Sequence, residues 1–234
     1  LRQLDYYAKL HQLSDANIGH ILDALDDTGG WDNTVVVFTS DHGDQCGSHG
    51  LRSKGPWNYE ETMRIPLYIV APEVTAAGST TDAMFSHVDL ARTLAGFSGA
   101  GEDRLEGWPG RQMSGVLADP STDGRSEVLF AQDWAWYDGL LEPRYASRGV
   151  FDGRFKYCRY YGIGGSSTTR GTPIASAKQV DRDAAFEDHE HEFYDLQEDP
   201  HELVNLAMDR GRRQEVRCRF EDLLELERQE FRDR

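Results

Sequence analysis

Apolar residues near the start of the chain recur at helical spacing. Leu10, Leu13, Ile18, Ile21, Leu22 and Leu25 fall near the i, i+3, i+4, i+7 pattern, which predicts a helix over residues 4–26 with Gly29-Gly30 as its stop. The period then changes. Thr34-Val35-Val36-Val37-Phe38-Thr39 is a continuous β-branched run, the mark of a strand buried on both faces. A polar, glycine-punctuated loop follows from Ser40 to about Tyr59. Ile65-Pro66-Leu67-Tyr68-Ile69-Val70 predicts a second strand, with Pro66 tolerated near its start. Ser86 with Asp89 three residues on predicts a capped helix entry ahead of Leu90, Leu94 and Phe97. Helices alternating with buried strands predict α/β architecture.

The second half has a different pattern. Residues 99–126 are rich in Gly, Pro, Asp and Ser and read as a long connection. Short strands are predicted at 128–131, 145–151 and 154–160. Asp152-Gly153 between the last two is the strongest short hairpin signal. Residues 162–178 are Gly/Ser/Thr-rich and read as mobile, 192–196 as a further strand, and 212–232 as a closing helix. The helix carries Val216, Phe220, Leu223, Leu224 and Phe231 on one stripe. These patterns divide the chain into an α/β part, 1–125, and a small α+β part, 126–234, with an antiparallel sheet and a terminal helix.

Composition narrows the possible partners. The 234 residues carry 25 Lys+Arg against 41 Asp+Glu, a net charge of −16, which disfavours nucleic acid and anionic membrane surfaces. Only Lys9, Lys54, Lys156 and Lys178 are lysines. A salt-adapted, halophilic surface and an ordinary acidic protein from a GC-rich genome both account for that balance. Cys46, Cys158 and Cys218 form no C-x-x-C pair, so they signal neither zinc nor a disulfide framework. No apolar run is long enough to cross a membrane and no signal peptide is visible, so a cytoplasmic location is expected.

The candidate chemistry lies at the end of the first strand, in Phe38-Thr39-Ser40-Asp41-His42-Gly43-Asp44. Ligand sites in open α/β sheets lie at the carboxyl ends of strands. Asp41 offers oxygen ligands and His42 a nitrogen, and Gly43 is expected to permit the sharp turn that brings both to one cation. On the dipeptide alone a loop cap beside an ordinary polar histidine is the simpler account, since two adjacent ligands do not make a metal site.

Three blocks in order change that balance. Residues 35–44 with Gly47-Ser48-His49-Gly50, Lys54 and Arg64-Ile65-Pro66-Leu67 resemble the sulfatase family of the alkaline phosphatase superfamily. So do the opening helix and the distal block Glu192-Phe193-Tyr194-Asp195-Leu196, Asp199-Pro200-His201-Glu202 and Asn205-Leu206-Ala207. The resemblance implies part of a mostly parallel sheet flanked by helices. It also implies Asp41 and His42 as ligands of one divalent cation, calcium or magnesium, and Lys54 as the contact to the sulfate oxygens. His49 either lines the substrate pocket or packs against its own turn. Sulfate-ester cleavage needs positive charge on the non-bridging oxygens, and a dication with a lysine supplies it.

One family feature is missing from the sequence. Sulfatases make a formylglycine nucleophile from a C-x-P-x-R or S-x-P-x-R segment, and none occurs in these 234 residues. That segment is expected upstream, in a missing N-terminal half of the catalytic domain acting as partner, with this chain inactive by itself on its small-molecule sulfate ester. Two alternatives are a phosphonate monoester or phosphodiester hydrolase of the same superfamily, and a non-catalytic binding module keeping the fold. Trp134, Trp136 and Tyr137 read as core or seam aromatics. Asp188-His189-Glu190-His191 reads as a solvated loop, and Asp195 and Asp199 as turn caps.

Overall fold

The computed structural model describes residues 2–55, 57–101, 103–133, 146–161, 168–169, 172–173 and 180–231. The expected aromatic cluster at 134–137 and most of the expected mobile stretch lie outside the described residues.

Helix α1 runs Arg2–Thr28, slightly beyond its predicted limits. The Thr28 hydroxyl donates back to the Ala24 carbonyl at 2.7 Å, extending the last turn, and Gly29 at φ 63° ends it in the left-handed region. Strands β1 (Val36–Thr39) and β2 (Leu67–Val70) pair antiparallel, with Val36 opposite Val70 and Thr39 opposite Leu67. The expected parallel pairing is therefore not made between these two strands. The expected burial on both faces is also corrected. Phe38, Tyr68 and Val70 are exposed, as are Leu4, Leu13 and Ile21 of α1. The apolar run calls for two covered faces, and this chain's described residues do not cover both.

Helix α2 (Glu60–Met63) is a single turn before β2, and α3 (His87–Phe97) opens with the predicted box. Ser86 receives the backbone of Asp89, and the Asp89 carboxylate receives the Ser86 N–H at 2.9 Å. That carboxylate is fully buried and also pairs with Arg125, which reaches Glu230 at 2.9 Å. The connection at 99–126 is less irregular than its composition suggests. It contains α4 (Ser114–Ala118), and buried Leu105, Met113 and Val116 pin it down.

The second half is an antiparallel sheet in the order β3 (Val128–Asp133), β4 (Ala146–Phe151), β5 (Phe155–Tyr161), β8 (Glu190–Asp195). The two-residue strands β6 (Thr168–Thr169) and β7 (Thr172–Pro173) form a separate antiparallel pair. Asp152 closes the predicted hairpin, its carboxylate accepting the N–H groups of Arg154 and Phe155 while Gly153 takes φ 94°. Helix α5 (Arg213–Phe231) packs on this sheet, and the main core lies between them: Val150, Tyr157, Phe193, Val216, Phe220 and Leu223. As expected, the Asp195 and Asp199 carboxylates hold turns, accepting from the Gln197 and Val204 N–H groups. The expected solvated loop at 188–191 is instead a 3-10 turn entering β8. His189 is buried there and His191 stacks on Phe186 at 4.2 Å. The aromatic core draws both rings in, His189 against Phe220 and His191 between Phe186 and Phe220, which their polar neighbours concealed.

Candidate active site

β1 ends at Thr39, and the chain turns at once to present Asp41 and His42. The turn is held locally. The Ser40 hydroxyl donates to the His42 carbonyl at 2.7 Å, and the His42 N–H donates to the Asp41 carboxylate at 3.0 Å. From α3, the His87 ring nitrogen Nε2 meets the Ser40 carbonyl at 2.9 Å. The Asp41 side chain is 81% exposed, so its oxygens are open to an incoming ligand. Desolvation, the largest single influence, pushes its pKa up, but the His42 N–H, the His42 ring, its own N–H and Lys54 together outweigh it and hold the carboxyl below its ordinary value. It is ionised at neutral pH.

The two side chains meet. Nε2 of His42 lies 3.3 Å from Oδ2 of Asp41, while Nδ1 lies 2.8 Å from the Gly43 carbonyl. A carbonyl only accepts, so the proton of a neutral ring sits on Nδ1 and Nε2 keeps its lone pair. A lone pair and a carboxylate oxygen then face each other, and a proton or a cation between them relieves the repulsion. Tying one ring nitrogen to a carbonyl is also how metal-binding histidines are oriented. The pair therefore fits as two donors of a cation site. The carboxylate suits calcium or magnesium, and the imidazole widens the range to transition metals. Among the described residues no three His, Cys, Asp or Glu groups converge, so these are two donors rather than a full shell.

Helix α2 braces the loop. The Gly43 N–H donates to the Thr62 carbonyl at 2.9 Å, and buried Gln45 donates to the Thr62 hydroxyl at 2.7 Å. A Cβ at Gly43 would sit 1.9 Å from the Glu61 carbonyl oxygen. Gly43 is thus needed for close approach, and its φ is not among the positive ones, which corrects the expectation of a special turn. His49 holds φ 53° and stacks on Tyr59 with ring centres 3.7 Å apart, its Nε2 3.9 Å from Glu61. The stack ties His49 to Tyr59, the residue that leads into α2. Lys54 is half-buried on the same loop, close enough for its charge to act on Asp41. Tyr59, Glu61, Thr62 and His87 were missed in the sequence because each acts through a contact distant along the chain.

Residues 2–100 match the sulfatase family profile, from α1 through the site loop to α3. A relative, the N-acetylglucosamine-6-O-sulfatase of Bacteroides thetaiotaomicron, is 32% identical over 202 residues, covering 86% of this chain and 31% of that protein. The chain belongs to the sulfatase family. The solved structure of BT4656 in complex with its substrate D-glucosamine-2-N,6-O-disulfate superposes with a TM-score of 0.71 at 27% identity, over 94% of this chain and 39% of that one. The phosphonate monoester hydrolase of Agrobacterium radiobacter superposes with a TM-score of 0.67 at 25% identity, over 92% and 39%. This sulfatase chain spans about a third of the length of the curated relatives it matches. Sulfatases as a family work with a divalent cation and a formylglycine.

Proposed function

We propose that this sulfatase chain supplies the cation-binding and lysine-bearing wall of a sulfate-ester hydrolase, acting on a small-molecule ester, with the nucleophile drawn from outside these 234 residues. The observation that carries the proposal is the facing pair of Asp41 Oδ2 and His42 Nε2 at the end of β1, with Nδ1 tied away. Asp41 and His42 would hold the cation, which when bound adds positive charge beside the anionic ester. Lys54 contributes its ammonium to the anionic non-bridging oxygens, offsetting their charge as a nucleophile approaches the sulfur. His49, stacked on Tyr59, shapes the loop wall. The exposed apolar faces of α1, β1 and β2 are the surfaces that the remainder of the catalytic domain would cover.

Calorimetric titration of the chain with calcium and with magnesium tests the site. Binding is expected for at least one, and Asp41→Ala should lower the affinity at least tenfold. Unchanged affinity in that variant sinks the assignment. The chain alone should not turn over an aryl sulfate, and turnover by it would disprove the missing-nucleophile part. A phosphonate monoester is the second substrate reading, favoured by the likeness to the Agrobacterium hydrolase. In a polypeptide that includes the nucleophile segment, faster cleavage of aryl phosphonate than aryl sulfate would make it the first.

A further inference from the structure

The site loop and the C-terminal sheet meet through a buried charge cluster that the proposed chemistry does not use. Lys156 of β5 is buried, its Nζ 2.6 Å from Oε1 of Glu202 and 2.9 Å from Oε1 of Glu60. The other Glu202 oxygen accepts the Glu60 N–H, the first of α2, at 2.7 Å. Glu202 is itself buried and holds φ 53°, a left-handed conformation that costs a non-glycine residue strain. Beside it, the Asn58 amide donates to the Ser147 hydroxyl of β4 at 3.0 Å and to the Tyr160 hydroxyl of β5 at 3.2 Å.

Burying the Lys156 ammonium with the Glu202 carboxylate, and half-burying Glu60 against them, is a poor route to stability, because well-packed apolar residues often serve as well or better. Such a cluster is better suited to fixing one arrangement. What it fixes here is α2, which with the preceding Tyr59 holds the site loop through Gly43–Thr62, Gln45–Thr62 and the His49–Tyr59 stack. We propose that Lys156 and Glu202 are positioning residues for the Asp41–His42 loop, acting through α2. The inference rests on the reading of that loop as the cation-binding part of the site.

The test uses the full chain. Lys156→Met/Glu202→Met removes both buried charges together. The control, Arg159→Met/Glu227→Leu, removes another buried ion pair of the same sheet, one that leads to α5. Amide hydrogen exchange at Gly43 reports the brace directly. It should speed up at least tenfold in the first variant and stay unchanged in the control. Unchanged exchange in the first, or equal acceleration in both, overturns the proposal. Glu60→Gln keeps the buried Lys156–Glu202 pair and weakens only its tie to α2, so it serves if the double variant does not fold. Exchange should then rise severalfold at an unchanged melting temperature, and no rise overturns the proposal. Calcium and magnesium affinity should fall roughly tenfold in the first variant and not in the control. If the unaltered chain binds neither cation while Gly43 exchange still responds, positioning stands and the cation reading falls.

Discussion

At the scale of single residues, adjacency decided what the sequence could reveal. Asp41 and His42 are neighbours, so their pairing needed only a turn, and the structure makes it at 3.3 Å. Gly43 was identified correctly as special but for the wrong physical cause, since its constraint is the Glu61 carbonyl across the gap rather than its own backbone angle. Gly43→Ala should therefore act by overpacking and cost about 1–3 kcal/mol. Urea unfolding should show a lower midpoint with an unchanged slope. A midpoint within error of the unaltered chain would mean that the loop yields without penalty. Lys156 stood out in the sequence only as one of four lysines, because its partners lie 96 residues away at Glu60 and beyond β8 at Glu202.

Among the elements, periodicity and capping predicted position better than environment. The Ser86–Asp89 box, the Asp152-Gly153 hairpin and α5 sit where local chemistry put them. The entry to β8 differs because burial there is tertiary. His189 and His191 are drawn into the aromatic core, where desolvation, and then neighbouring charges such as Arg159, hold both rings below their ordinary value. A neutral His191 ring is well served there, donating from Nε2 to the Phe186 carbonyl at 2.8 Å and accepting the Tyr157 hydroxyl at Nδ1 at 2.8 Å. A depressed histidine favours folding above its unfolded value of about 6.5, and that contribution is lost as pH falls toward the folded value. Stability should therefore drop between pH 7.5 and 5.5. Comparing urea midpoints at the two pH values checks the sign, and His189→Asn/His191→Gln should shrink the difference. An undiminished difference in that variant would assign the effect to other groups.

At the scale of the whole molecule, the fold class was readable and the coverage of its faces was not. The apolar stripe of α1 and the run in β1 predicted the right elements, yet both leave large side chains in water. Periodicity records which face wants cover and not which residues provide it. The net charge of −16 makes a separate prediction. Repulsion among carboxylates shortens in range from about 10 Å at 0.1 M salt to about 3 Å at 1 M, so a salt-adapted surface should melt at a higher temperature as sodium chloride rises. A melting temperature indifferent to molar salt would leave only an ordinary acidic protein. The brace between Glu60 and Glu202 also has a consequence in time. The two residues lie 142 positions apart, so at about 5–20 residues per second a ribosome finishes Glu60 roughly 7–30 s before Glu202 exists. During synthesis, the loop bearing Asp41 and His42 leaves the exit tunnel well ahead of the sheet that holds it.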